Sequence, residues 1–326
     1  MTTQLRWGFL GAGGIATEVA KDFAIAGLRI QAVGARDLAR ADTFADTFNI
    51  PNRHGSYEAL VNDPEVDIIY VNTIHPLHHQ HTLLALNAGK HVLLEKPFTI
   101  NAREAKEIAD LARAKKLFVM EAMWSRFLPS MDAIFEVINS GQLGEIQGVM
   151  ADHSQQLMHV PRMTEIELGG GALLDLGIYP ISLAHRILGK PDSIVARGTL
   201  TPNKVDSMTS MIFGYKSGAQ ASLTTCFYSA GPVTASVIGT QGRIEIDKSF
   251  YVQTSFTVYN KSGEEIESYD HAISGIGRQY QALHAEKCIA EGLIESPIMS
   301  LDESIEIMQV MDDIRAQIGV KYPTEI

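Results

Sequence analysis

The sequence predicts two domains of different class: an α/β domain built on a parallel Rossmann sheet, then an α+β domain with an open-faced, mainly antiparallel sheet and helices on one side. Three observations predict this. The 326 residues suffice for two cores at roughly 150 residues per domain. Up to residue 122, short apolar runs alternate with amphipathic stretches, the rhythm of a parallel sheet covered on both faces. After Trp124, strand-like segments follow one another with turns between them, as antiparallel pairing allows. Residues 1–122 and 123–326 are the expected domains. They meet at a tight crossover, because no repeat, low-complexity run or linker composition interrupts the chain.

The elements follow in order. Leu5–Leu10 reads as the first strand and Ile15–Ala26 as the first helix; Ile30–Ala35 and Ala39–Phe48 repeat the pair. Val66–Asn72 is nearly all apolar, as a strand buried on both faces requires. His79–Ala88 is helical with Gly89 at its C′ position, and Val92–Leu94 is a strand. Asn101 caps a helix through Lys116, and Leu117–Met120 returns to strand. In the second domain, Pro129–Asn139 is a helix that ends before Gly141, Ile146–His153 is extended, and Ala172–Leu188 is a long helix stopped by Gly189 and Pro191. Ser193–Leu200, Ser207–Phe213, Ala219–Phe227, Val233–Ile238, Arg243–Ile246 and Phe256–Tyr259 read as strands between turn residues such as Lys216-Ser217-Gly218. Helices Arg278–Glu291 and Leu301–Ile318 close the chain, the second with Ser300 and Glu303 as a capping box.

Composition narrows the partners. Net charge is −11, from 27 basic and 38 acidic residues, which opposes nonspecific nucleic-acid binding. No apolar run approaches the roughly 20 residues that span a bilayer. Met1-Thr2-Thr3-Gln4 leads into the first strand without a signal-peptide pattern. Cys226 and Cys288 make neither a disulfide framework nor a metal cluster. The expectation is a cytoplasmic protein with reduced thiols and with no membrane or nucleic-acid partner.

The chemistry begins at Gly11-Ala12-Gly13-Gly14-Ile15-Ala16, which follows the first strand and opens the first helix. It matches G-x-G-x-x-G/A through Gly11, Gly13 and Ala16. Gly14 and Ile15 begin a helix whose free N–H groups and positive dipole end suit a pyrophosphate. Alone the motif is weak; after the first strand of a βαβ pattern it is a specific dinucleotide signal. The end of the second strand then selects the dinucleotide. An NAD site usually places an acid there, on the ribose 2′-hydroxyl. This chain has Ala35 followed by Arg36, with Arg40 one turn on, and Arg36 suits a 2′-phosphate. NADP is the expected cofactor. NAD is the alternative, in which Asp37 takes the acidic role one position late.

At the other strand ends Asn72, Thr73, His75, His78, Glu95 and Lys96 converge on the crevice where ligands of open α/β sheets bind. His75 and His78 are expected beside the nicotinamide and phosphates, and His79 and His81 on the helix surface. Their spacing supports no metal. Desolvation of Lys96 at an apolar strand end would lower its pKa toward working pH. In the second domain Asp175, Tyr179 and Ser182 share a helix face at i, i+4 and i+7.

Gly11-Ala12-Gly13, Glu95-Lys96-Pro97 and Gly169-Gly170-Gly171 followed by Asp175 and Tyr179 together resemble the glucose–fructose oxidoreductase/inositol dehydrogenase (Gfo/Idh/MocA) family over essentially the whole chain. Tyr179, where many members carry histidine, and Trp124-Ser125-Arg126-Phe127 resemble the subgroup of glucose–fructose oxidoreductase and dimeric dihydrodiol dehydrogenase. The resemblance implies that Lys96 is catalytic, with Pro97 often following a cis bond, and that Trp124 and Arg126 approach the cofactor. It implies an oxidoreductase interconverting hydroxyl and carbonyl on a sugar, polyol or cyclic diol. Tyr179 would then exchange the hydroxyl proton, aided by the Lys96 cation, since free tyrosine titrates near ~10. Asp175 would hydrogen-bond substrate or orient the pair, and Trp124, His153 and Leu157 would wall the substrate. The loop His153–Glu167 is expected to select it. A dinucleotide-sensing regulator and an NAD-dependent glycosidase are the competing functions. The open sheet face implies a homodimer or homotetramer.

Overall fold

The structure, a computed structural model, describes residues 4–325. Met1–Thr3, read above as the approach to the first strand, and Ile326 lie outside the described residues. The chain forms two compact units. One takes the chain through Phe127 together with Ser274–Ile305; the other takes Leu128–Ile273 and the chain from Glu306 on. The division thus falls after Phe127, and a C-terminal segment returns to the first unit, which no local sequence signal carries.

In the first unit the alternation yields β1 (Arg6–Leu10), α1 (Gly14–Ala26), β2 (Arg29–Gly34), α2 (Leu38–Phe48), β3 (Asn52–His54), α3 (Tyr57–Val61), β4 (Ile68–Val71), α4 (His78–Asn87), β5 (His91–Glu95), α5 (Ala102–Lys115) and β6 (Val119–Ala122). The six strands are parallel in the order β3-β2-β1-β4-β5-β6. Strand order therefore reverses between β1 and β4, and a crevice opens there at the carboxyl ends. All of β4 is buried, and Trp7, Phe9, Phe23 and Tyr70 form an edge-to-face core with centroids 5.0–5.3 Å apart. Such pairs add about 0.5–1.5 kcal/mol each beyond area burial.

The sequence reading missed β3 and α3. β3 is three polar residues paired only to β2, and α3 is five residues capped by Ser56, whose Oγ accepts from Ala59 N (3.1 Å). Both are too short for periodicity to register. His81 corrects a second expectation. It is buried, not on the helix surface, with Nδ1 3.0 Å from Thr73 Oγ1 and its ring against Tyr57.

The second unit begins with α6 (Pro129–Asn139), β7 (Ile146–Ser154) and α7 (Pro161–Thr164), then α8 (Ile178–Leu188) and β8 (Ser193–Leu200). The strands β9 (Asp206–Gly214), β10 (Gln220–Cys226), β11 (Ala235–Gly239), β12 (Gly242–Ile246), β13 (Phe256–Asn260) and β14 (Glu265–Tyr269) complete it. The sheet order is β14-β13-β12-β11-β7-β10-β9-β8, antiparallel except for the parallel pair β7–β10. β14, sequence Glu-Ile-Glu-Ser-Tyr, is an exposed acidic edge strand without an apolar face, so no alternation announced it. α8 packs on β7 and β10.

On the opposite face Met150, Ser222, Ile212 and Val195 stand in one row across β7, β10, β9 and β8, and Met150, Ile212 and Val195 are 52%, 53% and 65% exposed. The stretch Ile166–Leu188 is long and apolar enough to cross a membrane by length and composition. That corrects the expectation that no run comes near, but it is 83% buried inside the protein, as a core helix is.

The return segment carries α9 (Arg278–Ala290), followed by α10 (Leu301–Ile318), within which the two units divide. Trp7 Nε1 donates to Glu286 (2.9 Å) and Val119 N to Ile294 O (3.1 Å), fastening the segment to β1 and β6. Ser300 Oγ accepts from Glu303 N (3.1 Å), one half of the expected capping box, while the Glu303 carboxylate pairs with Arg126 (2.7 Å).

Candidate active site

The glycine loop has the geometry its residues require. Gly11 has φ 124°, and a Cβ there would collide with Asn72 Oδ1, so only glycine fits. Gly13 is the extended N-cap of α1, which has no side-chain cap. Side chains placed at Gly13 or Gly14 would meet nothing within 4 Å. Gly13 and Gly14 are exposed, and the first N–H groups of α1, including those of Gly14 and Ile15, have no side-chain cap, as a pyrophosphate site requires. Asn72 Oδ1 is buried beside the loop without a hydrogen-bond donor. The residues present fit a dinucleotide.

At the end of β2, Ala35 is buried and Arg36 exposed. Asp37 caps α2: its Oδ1 accepts from Arg40 N (3.0 Å), and Oδ2 lies 3.5 Å from Arg40 Nε. Its carboxylate is engaged with its own helix. Tyr57, unnoticed in the sequence, lies near both guanidinium groups. Burial pushes its phenol up and the Arg36 and Arg40 charges oppose that.

The loop after β5 carries Lys96, half-buried, and the Lys96–Pro97 bond is cis. Three buried titratable side chains fix its backbone. Glu95 accepts from Lys96 N (3.2 Å) and from Tyr70 Oη. Burial pushes the Glu95 carboxyl up, opposed by the Tyr70 bond and by the Lys96 and Arg278 charges. Glu121 accepts from Phe98 N and Ser304 Oγ, each at 3.0 Å, and burial pushes it up to about 7.

His78, expected to line the crevice, is wholly buried, with Nδ1 2.8 Å from Pro97 O and Nε2 3.0 Å from Thr73 O. Burial pushes it down to about 4, so the ring is neutral and donates to one of these carbonyls. The ring sits between Pro97 of the Lys96 loop and Thr73 just after β4. His75 is also buried, its ring 5.6 Å from that of His78. Trp124 is buried under the Arg278 guanidinium (4.9 Å). Arg126, expected at the cofactor, is 3% exposed, paired with Glu303 and donating to Ile298 O (3.3 Å).

In the second unit Asp175 lies on a π-helical turn, Leu173–Gly177, that runs directly into α8 and Tyr179. Its i→i+5 bonding replaces the uniform α-helix expected there, a feature common at functional sites. Asp206 anchors this turn, its Oδ2 accepting from Leu173 N (2.9 Å) and Thr209 Oγ1 (2.8 Å). Burial pushes Asp206 up to about 7. Gly171, at φ 122°, leaves room for Asp206 Oδ1, and Gly170 O accepts from Tyr322 Oη (2.7 Å).

Asp175 is buried and paired with Arg162 of α7 at 2.6 Å. The Tyr179 ring meets His153 (5.1 Å) and Tyr251 (4.9 Å). His153 stacks on Tyr251 at 4.2 Å, with Nδ1 3.0 Å from Leu176 O and Nε2 2.8 Å from Gln155 Nε2. That network assigns the proton to Nδ1. Gln155 also donates to Tyr251 Oη (2.8 Å). Tyr251 and Gln155 went unnoticed in the sequence, since neither belongs to a motif. Leu157, expected in the substrate wall, packs on the apolar cluster of Met163, Ala172, Leu176, Val205 and Phe227.

Comparison with known proteins agrees with this architecture. Residues 5–123 match the model of the oxidoreductase family with an NAD-binding Rossmann fold, and residues 131–245 match the GFO/IDH/MocA C-terminal domain. The chain is 39% identical over 330 residues to trans-1,2-dihydrobenzene-1,2-diol dehydrogenase of Mus musculus, covering 98% of this chain and 99% of that one. It is 37% identical to the same-named protein of Xenopus tropicalis at equal coverage. The crystal structure of aldose-aldose oxidoreductase from Caulobacter crescentus, complexed with glycerol, matches with a TM-score of 0.86 and 25% identity over 97% of each chain. The chain belongs to the GFO/IDH/MocA oxidoreductase family and is an NAD(P)-dependent dehydrogenase acting on CH–OH groups.

Proposed function

We propose that the chain is an NADP-dependent dehydrogenase that oxidises a secondary hydroxyl of a cyclic diol or sugar, and reduces the corresponding carbonyl in reverse. The observation that carries the reading is the loop of Lys96. The backbone of this loop is held at three consecutive residues: Glu95 accepts from Lys96 N, His78 lies against Pro97 O and Glu121 accepts from Phe98 N, and such preorganisation is what electrostatic catalysis needs. The names of the curated relatives favour a vicinal cyclic diol, and the Caulobacter crescentus structure favours an aldose.

When bound, NADP supplies the hydride acceptor. The α1 N–H groups hold its pyrophosphate, and Asn72, Thr73, His75 and Trp124 border its path. Arg36, assisted by Arg40, takes the 2′-phosphate. The capping role of Asp37 supports this choice, because one of its carboxylate oxygens already serves the end of its own helix. Tyr179 Oη takes the hydroxyl proton as the carbon gives up its hydride, leaving a carbonyl. Lys96 Nζ steadies the negative charge that develops on the substrate oxygen. Asp175, held by Arg162, orients the substrate hydroxyls, and His153 with Tyr251 forms an aromatic wall beside Tyr179. The wild-type chain is tested on trans-dihydrodiols, aldoses and inositols with NADP and NAD in parallel, following NAD(P)H absorbance. Turnover of a diol or aldose with NADP preferred is the expected result. Preference for NAD removes the Arg36 assignment, and release of free sugar without net reduction of the dinucleotide removes the dehydrogenase reading.

A further inference from the structure

Arg278, the first residue of α9, stands out as a guanidinium with buried donors left unused. Its Nε and Nη1 are buried and have no hydrogen-bond partner among the described residues. Every other role visible for it is stacking on Trp124, 4.9 Å away. A buried guanidinium N–H left unpaired is costly, so such groups normally have a partner.

The surroundings locate the missing partner. Asp22 of α1, itself buried, accepts from Ile276 N (3.2 Å) and Arg278 N (2.8 Å) and so docks the start of α9 against α1. The guanidinium lies within charge range of Glu18, one turn beyond the glycine loop on α1, and of Glu95 at the end of β5. Trp124 follows directly on β6. Arg278 is therefore held at the carboxyl edge of the sheet, between the first turns of α1 and the ends of β5 and β6, along the path of a dinucleotide in this strand order. Three residues on, on the same face of α9, Gln281 is fully buried with both amide atoms unpartnered. That face is built for polar company.

We propose that Arg278 binds the pyrophosphate of the dinucleotide, contacting the phosphate on the nicotinamide side while the α1 N–H groups hold the other. Of the anions that a bound dinucleotide would bring, the pyrophosphate would be the one at this edge, the 2′-phosphate falling to the Arg36 end. A planar fork of N–H donors matches phosphate oxygens. The inference rests on the dinucleotide reading above and adds to it a contact from a segment more than 150 residues beyond the Rossmann strands.

Affinities of the full chain for NADPH, ADP-ribose and AMP test it, because ADP-ribose keeps both phosphates and lacks the nicotinamide, whereas AMP lacks the second phosphate. Arg278→Met is expected to weaken NADPH and ADP-ribose about tenfold or more and to leave AMP unchanged, with Arg278→Lys recovering part of the loss. Unchanged NADPH affinity overturns the assignment. So does a loss confined to NADPH, which moves the contact to the nicotinamide, or an equal loss for AMP. Thermal melts accompany each variant. If Arg278→Met does not fold, Arg278→Lys carries the same comparison, since lysine keeps the charge and loses the fork. If the wild type binds neither NADPH nor NADH, the cofactor reading fails first and takes this contact with it.

Discussion

At the scale of single residues, the proposed preference for NADP is tested at the end of β2. Asp37 is tied to Arg40 N as a helix cap (3.0 Å), and Arg36 is exposed beside it. Arg36→Ala removes a charge-assisted contact, each worth about 1.5–3 kcal/mol, so KM for NADP should rise by roughly 10–100-fold while KM for NAD stays put. Steady-state kinetics with both dinucleotides checks this; an equal rise for both would mean that Arg36 does not read the 2′-phosphate. This pair also marks what a sequence yields. The glycine loop with Gly11 was legible because its meaning lies within a few residues of the first strand. The capping by Asp37 follows from an Asp placed directly before a helix, a local signal that was available and passed over. Tyr251 and Arg278 were not legible, because the partners that give them meaning, His153 and Trp124, come from distant parts of the chain.

At the scale of elements, the π-helical turn and α8 are positioned by one buried acid from β9. Burial pushes Asp206 up to about 7, whereas the unfolded chain's aspartate titrates near ~3.9. Between these values the folded state holds a proton that the unfolded state has lost. The stability contribution of this carboxyl is thus fully present below about pH 4 and is lost as pH rises through about 7. Asp206→Asn keeps an oxygen for Leu173 N and cannot ionise. Urea melts should therefore show the variant gaining on the wild type from about pH 4 to about pH 7 and no further above that, by on the order of 1–4 kcal/mol, since each pKa unit is worth about 1.4 kcal/mol. A pH-independent difference would mean that Asp206 is ionised throughout. The strands of this unit were legible from alternation on β8 to β10. The π turn was not, because its i→i+5 bonding is set by Asp206 and the Gly170–Gly171 approach, contacts that residue periodicity does not encode.

At the scale of the whole molecule, the second sheet presents a row of Met150, Ser222, Ile212 and Val195 in register across four strands, its three apolar members exposed. We propose that this face meets its counterpart on a second copy, since exposed apolar side chains gathered on one face mark interaction sites. Ile212→Glu should lower the mass measured by light scattering to that of a single chain; an unchanged mass with a folded variant would place any interface elsewhere. Fold class was legible at this scale from the change of rhythm after Trp124, whereas the return of Ser274–Ile305 to the first unit was not, because helices α9 and α10 carry no mark of which sheet they cover.

In the proposed reaction Tyr179 takes the proton of the hydroxyl and Lys96 steadies the charge on its oxygen. Tyr179→Phe tests it most directly, with NADPH binding and turnover of the best substrate measured on the same sample. The predicted result is a fall in kcat of about 100-fold or more, the scale of general acid–base catalysis, with NADPH affinity unchanged. Turnover within a few-fold of wild type would contradict it and remove Tyr179 from the mechanism.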